Sequence, residues 1–212
     1  MLNPASQALK TLKVLIYFVN RQVMAMRFAQ PLVETTIVCT VALSLSLSTP
    51  TAVLAQTKIK PTYTLTGKVI RVSDGDTLTI RGAGNQKIRL ASIDAPEKKS
   101  SSKRPAQAYS EPSREYLAKL VAGQTITVLC FEKDRYDRHI CDIPVQQTTA
   151  NRLLVEAGLA WANQQAGGKY LRDKVLLVLE QQARAAKRGL WVEPDPVAPW
   201  VWRKRCWQQG QC

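Results

Sequence analysis

The sequence predicts an α+β fold, mainly β, in which five strands close into a barrel accompanied by three helices. Three observations carry that prediction. β-branched runs alternate with Asp-Gly and Gly-Ala-Gly-Asn turns between residues 63 and 93, a second pair of such runs lies between 124 and 145, and apolar residues recur at helical spacing in the intervals that follow residues 110, 148 and 170.

Residues 63–72 are rich in β-branched side chains and are ended by Asp74-Gly75. Residues 77–81 give a second strand, 82–85 a hairpin turn and 86–93 a third strand, so the barrel begins as a meander. Ser110 before Glu111-Pro112 supplies a cap and a first turn, and Tyr116, Leu117, Leu120 and Val121 recur at helical spacing until Gly123. Residues 124–131 and 138–145 are the fourth and fifth strands, joined by 132–137. A short helix over 148–158 carries Leu153, Leu154 and Ala157 on one side. A longer one over 170–189 carries Leu171, Val175, Val178, Leu179 and Ala186 as its apolar stripe. A helix between strands three and four, with two more after strand five, is the order of an oligonucleotide-binding (OB) barrel with helical additions.

Lys and Arg number 30 against 16 Asp and Glu, a net charge of +14. Such an excess favours a polyanionic partner. Residues 36–55 are uncharged and end in Val53-Leu54-Ala55, as in a signal peptide cleaved after Ala55. Residues 1–55 are therefore read as a leader, with Met24 or Met26 as an alternative start and a membrane anchor as the alternative fate. A linker over 56–61, a folded domain over 62–192 and a tail over 193–212 complete the organisation. Without the leader, 26 basic and 15 acidic residues remain, or +11, so the charge belongs to the folded part. Cys130, Cys141, Cys206 and Cys212 also remain, and an even count in an exported chain points to disulfides. Local pairing, Cys130 with Cys141 and Cys206 with Cys212, is the expectation; two buried thiols and a frayed tail are the alternative.

Residues 98–107 carry four positive charges and no apolar periodicity, which fits a solvated linker or a basic flap over a polyanion site. In the tail, Trp200, Trp202 and Trp207 stand among Arg203, Lys204 and Arg205. That pattern either stacks on single-stranded nucleic acid or packs a stapled tail onto the barrel, and packing is the expectation.

Two acid-bearing segments, Asp74 to Thr77 and Ile88 to Glu97, place Asp76, Arg89, Asp94 and Glu97 close together in sequence. Carboxylates this dense beside an arginine suit a hard cation and a phosphate, because buried charges are costly unless paired or metal-bound. Taken alone, the same residues also fit two acidic turns. His139 is the single histidine, and no Cys/His spacing suggests zinc.

Ser73-Asp-Gly-Asp-Thr77, Ile88-Arg-Leu90 with Ile93-Asp-Ala-Pro-Glu97, Asp134-Arg-Tyr-Asp-Arg138, Gly158-Leu-Ala160 and Arg184-Ala-Ala-Lys-Arg-Gly-Leu-Trp191 occur in order over residues 62–192. Together they resemble the staphylococcal nuclease (thermonuclease) family. The resemblance implies hydrolysis of DNA and RNA with one Ca²⁺ ion, leaving 3′-phosphate ends. It implies that Asp76 and Asp94 are metal carboxylates, that Ala95 contributes its backbone carbonyl, that Glu97 activates water, and that Arg89 and Arg138 hold the phosphate. Arg135 and Tyr136 fall where that family contacts substrate.

Asp137 stands where the family has glycine, at a turn expected to ask for positive φ, and brings a second acid next to Arg138. Asn163 stands near a position where relatives carry a tyrosine. Arg89 and Asp94 are five residues apart and so fall on opposite faces of a flat strand. For both to serve one phosphate, the strand has to end or bulge between Leu90 and Asp94. The function expected is a secreted or periplasmic, monomeric, calcium-dependent nuclease of low sequence specificity with no stable protein partner. A catalytically silent nucleic-acid-binding barrel is the alternative.

Overall fold

The computed structural model describes residues 60–212. The leader expectation lies outside the described residues. Five strands form a closed barrel: β1 (Tyr63–Asp74), β2 (Thr77–Arg81), β3 (Asn85–Leu90), β5 (Thr125–Lys133) and β6 (His139–Asp142). β1 is long enough to serve both ends of the sheet. Its first half pairs with β5 and its second half with β2, and β3 closes the barrel by running parallel to β6. Gly67 sits where β1 passes from one partner to the other. A Cβ there would lie 2.8 Å from the Arg81 carbonyl, so the crossing needs a residue without one.

The strands alternate as a closed barrel requires, with Leu78, Ile80, Ile88, Leu90, Val128, Cys130 and Cys141 pointing inward and fully buried. Helix α1 (Ser110–Val121) adds Leu117 and Val121 to that core, α2 (Ala150–Glu156) adds Leu154 and Val155, and α3 (Val175–Ala185) adds Leu176. Cys130 and Cys141 are direct cross-strand partners and form a disulfide, as expected. No helix among the described residues is long and apolar enough to cross a membrane.

Several boundaries differ from the sequence expectation, each for a local reason. The chain enters α1 through Tyr109 at φ 65°, so Ser110 is already helical and buried rather than capping. The expected fifth strand stops at Asp142, because the Ile143 N–H is taken by Asn151 Oδ1 and Pro144 has no N–H to extend the ladder. A separate ribbon, β7 (Pro144–Val145) with β8 (Thr148–Thr149), leads into α2, which Thr149 caps by accepting the Arg152 N–H. Helix α3 starts later than expected. Asp173, which holds Arg152 at 2.7 Å, accepts the Val175 N–H and leaves Leu171 in the approach.

The expected third strand is broken. β3 ends at Leu90, Ser92 adopts φ 64°, and a two-residue strand, β4 (Ile93–Asp94), pairs instead with β9 (Trp161–Ala162). The kink is held by its neighbours: Ser92 O accepts the Asn163 N–H at 2.8 Å, and Ser92 Oγ accepts the Arg172 N–H at 2.9 Å. The break required by the spacing of Arg89 and Asp94 is therefore present.

The tail folds back as one short helical segment, Pro199–Trp202 running on through Arg203–Gln208, closed by the Cys206–Cys212 disulfide. Trp200 packs edge-on against Trp161, which packs on Trp191. Packing, rather than an exposed stacking platform, accounts for Trp200.

Candidate active site

The site is assembled where the β1–β2 turn, the β3–β4 break and the loop after β4 meet. Gly75 makes the first contact possible, since a Cβ there would collide with Ser113 of α1 and come within 2.8 Å of the Ala95 Cβ. With that turn pressed in, Asp76 Oδ2 accepts the Ala95 N–H at 2.7 Å, which ties the carboxylate of β2's lead-in to the strand that carries Asp94.

Arg89 occupies the centre. Ile88 and Leu90 point into the barrel, so Arg89 points out, and its guanidinium forks between two acids. Nη1 lies 2.7 Å from Asp76 Oδ2, and Nη2 lies 2.7 Å from Asp94 Oδ1. Both acids are almost wholly buried. Burial pushes Asp76 up to about 6, against the pull of Arg89; it also raises Asp94, opposed by Arg89 and Arg203. Burial lifts Glu97 to about 7, with Arg203 pulling the other way. Each acid therefore sits in an environment that charges it reluctantly and that an added cation would relieve.

Asp74 lies outside this centre. It accepts the Asp76 N–H and faces Lys98. His139 hydrogen-bonds Tyr63 at 2.8 Å and takes no part in the cluster of Asp76, Asp94 and Arg89. Asn163 is buried beside Ser92 and takes the Gln165 N–H.

Arg138 is not drawn into the acid cluster. Its Nε and Nη2 both lie 2.8 Å from Asp134 Oδ2, and its guanidinium stands over the Tyr136 ring. It immediately precedes β6, whose first residues pair with β3 around Arg89, Ile88 with His139 and Arg89 with Ile140. Arg135 also stacks on Tyr136, which is 62 % exposed. Asp137 adopts φ 60°, as its place in the turn requires, and pairs with Lys133 at 2.7 Å rather than with Arg138.

Sequence reasoning missed Arg203 and Gln107. Arg203 reaches from the tail to bind Asp94 and Glu97, and Gln107 Oε1 accepts the Glu97 N–H. The signal for Arg203, a base among tryptophans, was visible but did not say which acids it would meet.

Residues 87–193 match the model for the staphylococcal nuclease homologue family. The chain belongs to that family. It is accordingly a nuclease, a hydrolase of phosphodiester bonds. Similar proteins include an uncharacterized endonuclease of Escherichia coli, 43% identical over 141 residues that cover 66% of this chain and 85% of the relative. Another, from Haemophilus influenzae, is 37% identical over 142 residues, covering 66% and 74%. A micrococcal nuclease of Shigella flexneri is 33% identical over 148 residues, covering 65% and 80%. The matched stretch of the family model contains Arg89, Asp94, Ala95, Glu97, Arg135, Tyr136 and Arg138, whereas Asp76 precedes it and Arg203 follows it.

Proposed function

We propose that this nuclease is calcium-dependent, acts on DNA and RNA with low sequence specificity, and leaves 3′-phosphate ends. It works as a monomer in a secreted or periplasmic compartment after loss of the leader. The observation that carries the reading is the pair of buried carboxylates, Asp76 and Asp94, brought onto one guanidinium at 2.7 Å each.

The donors fit a hard divalent cation. Among the described residues no three histidine, cysteine or acid side chains gather as a metal cage. What converges is two carboxylates next to the Ala95 backbone, an all-oxygen set that leaves positions for water and a phosphate oxygen and suits Ca²⁺ rather than zinc. Asp76, Asp94 and the Ala95 carbonyl would hold the ion, which supplies Lewis-acid polarisation of the phosphodiester.

The remaining work falls to this chain's own side chains. Arg89, whose fork is engaged by Asp76 and Asp94 here, is released toward two phosphate oxygens when those acids hold the cation, its charge constant at any working pH. Glu97, on the loop after β4, takes a proton from the attacking water as its oxygen bonds to phosphorus and the P–O5′ bond breaks, and the departing 5′ oxygen takes up a proton from solvent. Arg138 leaves Asp134 to reach the phosphate, adding a second fork as charge builds on the oxygens. Arg135 and Tyr136 contact the adjoining nucleotide. The two disulfides support an oxidising compartment, and the +11 balance of the folded part supports a polyanionic substrate.

The test is product analysis. A 5′-labelled single strand of DNA, and one of RNA, digested with Ca²⁺ should give fragments that accept no 3′ extension until a phosphatase has acted. Fragments that extend directly would overturn the assignment of 3′-phosphate ends. Binding without cleavage would favour the silent barrel.

A further inference from the structure

Arg203 lies outside the stretch that matches the family model, yet it is bound to two acids of the proposed site. Its Nη2 donates to Asp94 Oδ2 at 2.8 Å, its Nη1 reaches Asp94 Oδ1 at 3.3 Å, and the same Nη1 donates to Glu97 Oε1. Among the described residues Arg203 is the hydrogen-bond partner of the Glu97 carboxylate.

The segment that carries Arg203 is fastened on both sides. Before it, Gln107 Nε2 donates to Val197 O, and Trp200 packs on Trp161. After it, Trp207 Nε1 donates to Pro105 O at 3.1 Å, Arg104 lies over the Trp207 ring, and Cys206 is bonded to Cys212. Gln107 also holds the loop of Glu97 from both directions, accepting the Glu97 N–H and donating its own backbone N–H to Glu97 O. The tail and the Glu97 loop thus form one fixed unit.

We propose that Arg203 is a positioning residue of the nuclease site, bracing the Glu97 carboxylate against Asp94 so that the two keep one mutual orientation through the reaction. This rests on the roles proposed above for Asp94 and Glu97. A glutamate side chain on a loop samples several rotamers, and holding one of them is what a planar fork fixed at its other arm achieves. Outer partners of this kind orient the carboxylates that ligate a metal. Charge gives a second expectation. Asp76, Asp94 and Glu97 face Arg89 and Arg203, so removing Arg203 makes the site more negative and leaves its attraction for a divalent cation undiminished.

The experiment compares kcat, KM for single-stranded DNA and the Ca²⁺ activation midpoint for the wild type, Arg203→Gln, Arg203→Lys, Glu97→Gln and the Arg203→Gln/Glu97→Gln double variant, with melting curves for each. Arg203→Gln should lower kcat roughly 10- to 100-fold, with KM nearly unchanged and no rise in the Ca²⁺ midpoint. Arg203→Lys keeps the charge but cannot span both acids, and should recover only part of the rate; it carries the test if Arg203→Gln melts below the assay temperature. The double variant should be no slower than Glu97→Gln alone, a non-additivity that a merely structural role does not produce. Wild-type or higher activity of Arg203→Gln would make the tail inert or inhibitory, and multiplicative losses in the double variant would show that it does not act through Glu97. Either result overturns the proposal. Full activity of Glu97→Gln alone would overturn the reading of the site itself, and it is distinguishable because it arises with Arg203 intact.

Discussion

Arg89 donates to Asp94 across the break in its own strand, Nη2 to Oδ1 at 2.7 Å, although five residues separate them. An unbroken pleat would send the two to opposite faces. The left-handed Ser92 turns the chain between them, so the site depends on one backbone conformation as much as on its charged groups.

A first prediction tests that conformation. Ser92→Gly and Ser92→Val both lose the hydrogen bond to Arg172, but only valine resists φ 64°. Ser92→Val should be less stable than Ser92→Gly by about 1–2 kcal/mol in urea unfolding, with the greater loss of activity. Equal stability of the two variants would mean that the turn is not a constraint.

A second concerns the fork. Arg89→Ala removes the shared partner of two buried acids, so the calcium-free protein should lose about 3 kcal/mol. Its kcat should fall roughly 100- to 1000-fold. Added Ca²⁺ should raise the melting temperature of this variant more than that of the wild type, a difference read by thermal shift.

Much of this was legible in the sequence, and each missing part has its own physical cause. The five strands and the Cys130–Cys141 pairing follow from alternation and spacing, and a break between Leu90 and Asp94 follows from parity once the resemblance assigns Arg89 and Asp94 to one phosphate; all of these are short-range. The capping of α1 and the end of the fifth strand were misplaced because Tyr109 takes a left-handed conformation and Asn151 intercepts the Ile143 N–H. Arg203 was missed because its partners lie 106 and 109 residues away, and no local pattern encodes that distance. Arg138, which the resemblance assigns to the phosphate, has its guanidinium held by Asp134, four residues earlier, in this structure.

A third prediction follows from Asp137. Its carboxylate pairs with Lys133, exposed to solvent, and does not touch Arg138. Asp137→Asn keeps a residue tolerant of φ 60° and loses only a surface ion pair. Stability should change by less than about 0.5 kcal/mol, and kcat/KM should hold within a factor of two. A large gain in activity would show that the acid does weaken the Arg138 fork.

A fourth is a pH dependence of stability. His139, on β6 between β3 and β5, faces Lys133, Tyr63 and Asp137, and burial, aided by Lys133, holds its pKa below the ordinary 6.5 while Asp137 opposes. The fold prefers the neutral ring. Its stabilising contribution is complete above pH 6.5 and is lost as pH falls through the lower folded value. The melting temperature of His139→Gln should therefore depend less steeply on acidification from pH 7 to pH 5 than that of the wild type. A steeper slope in the variant would reverse the assignment.

The most direct test of the two-carboxylate site is digestion of single-stranded DNA by the purified protein across a Ca²⁺ titration, beside a chelator control and Asp76→Asn. The account predicts activity that rises with Ca²⁺, vanishes in chelator, and in Asp76→Asn requires far more Ca²⁺ at a lower maximum. Full activity in chelator, or an Asp76→Asn titration that overlays the wild type, would contradict it.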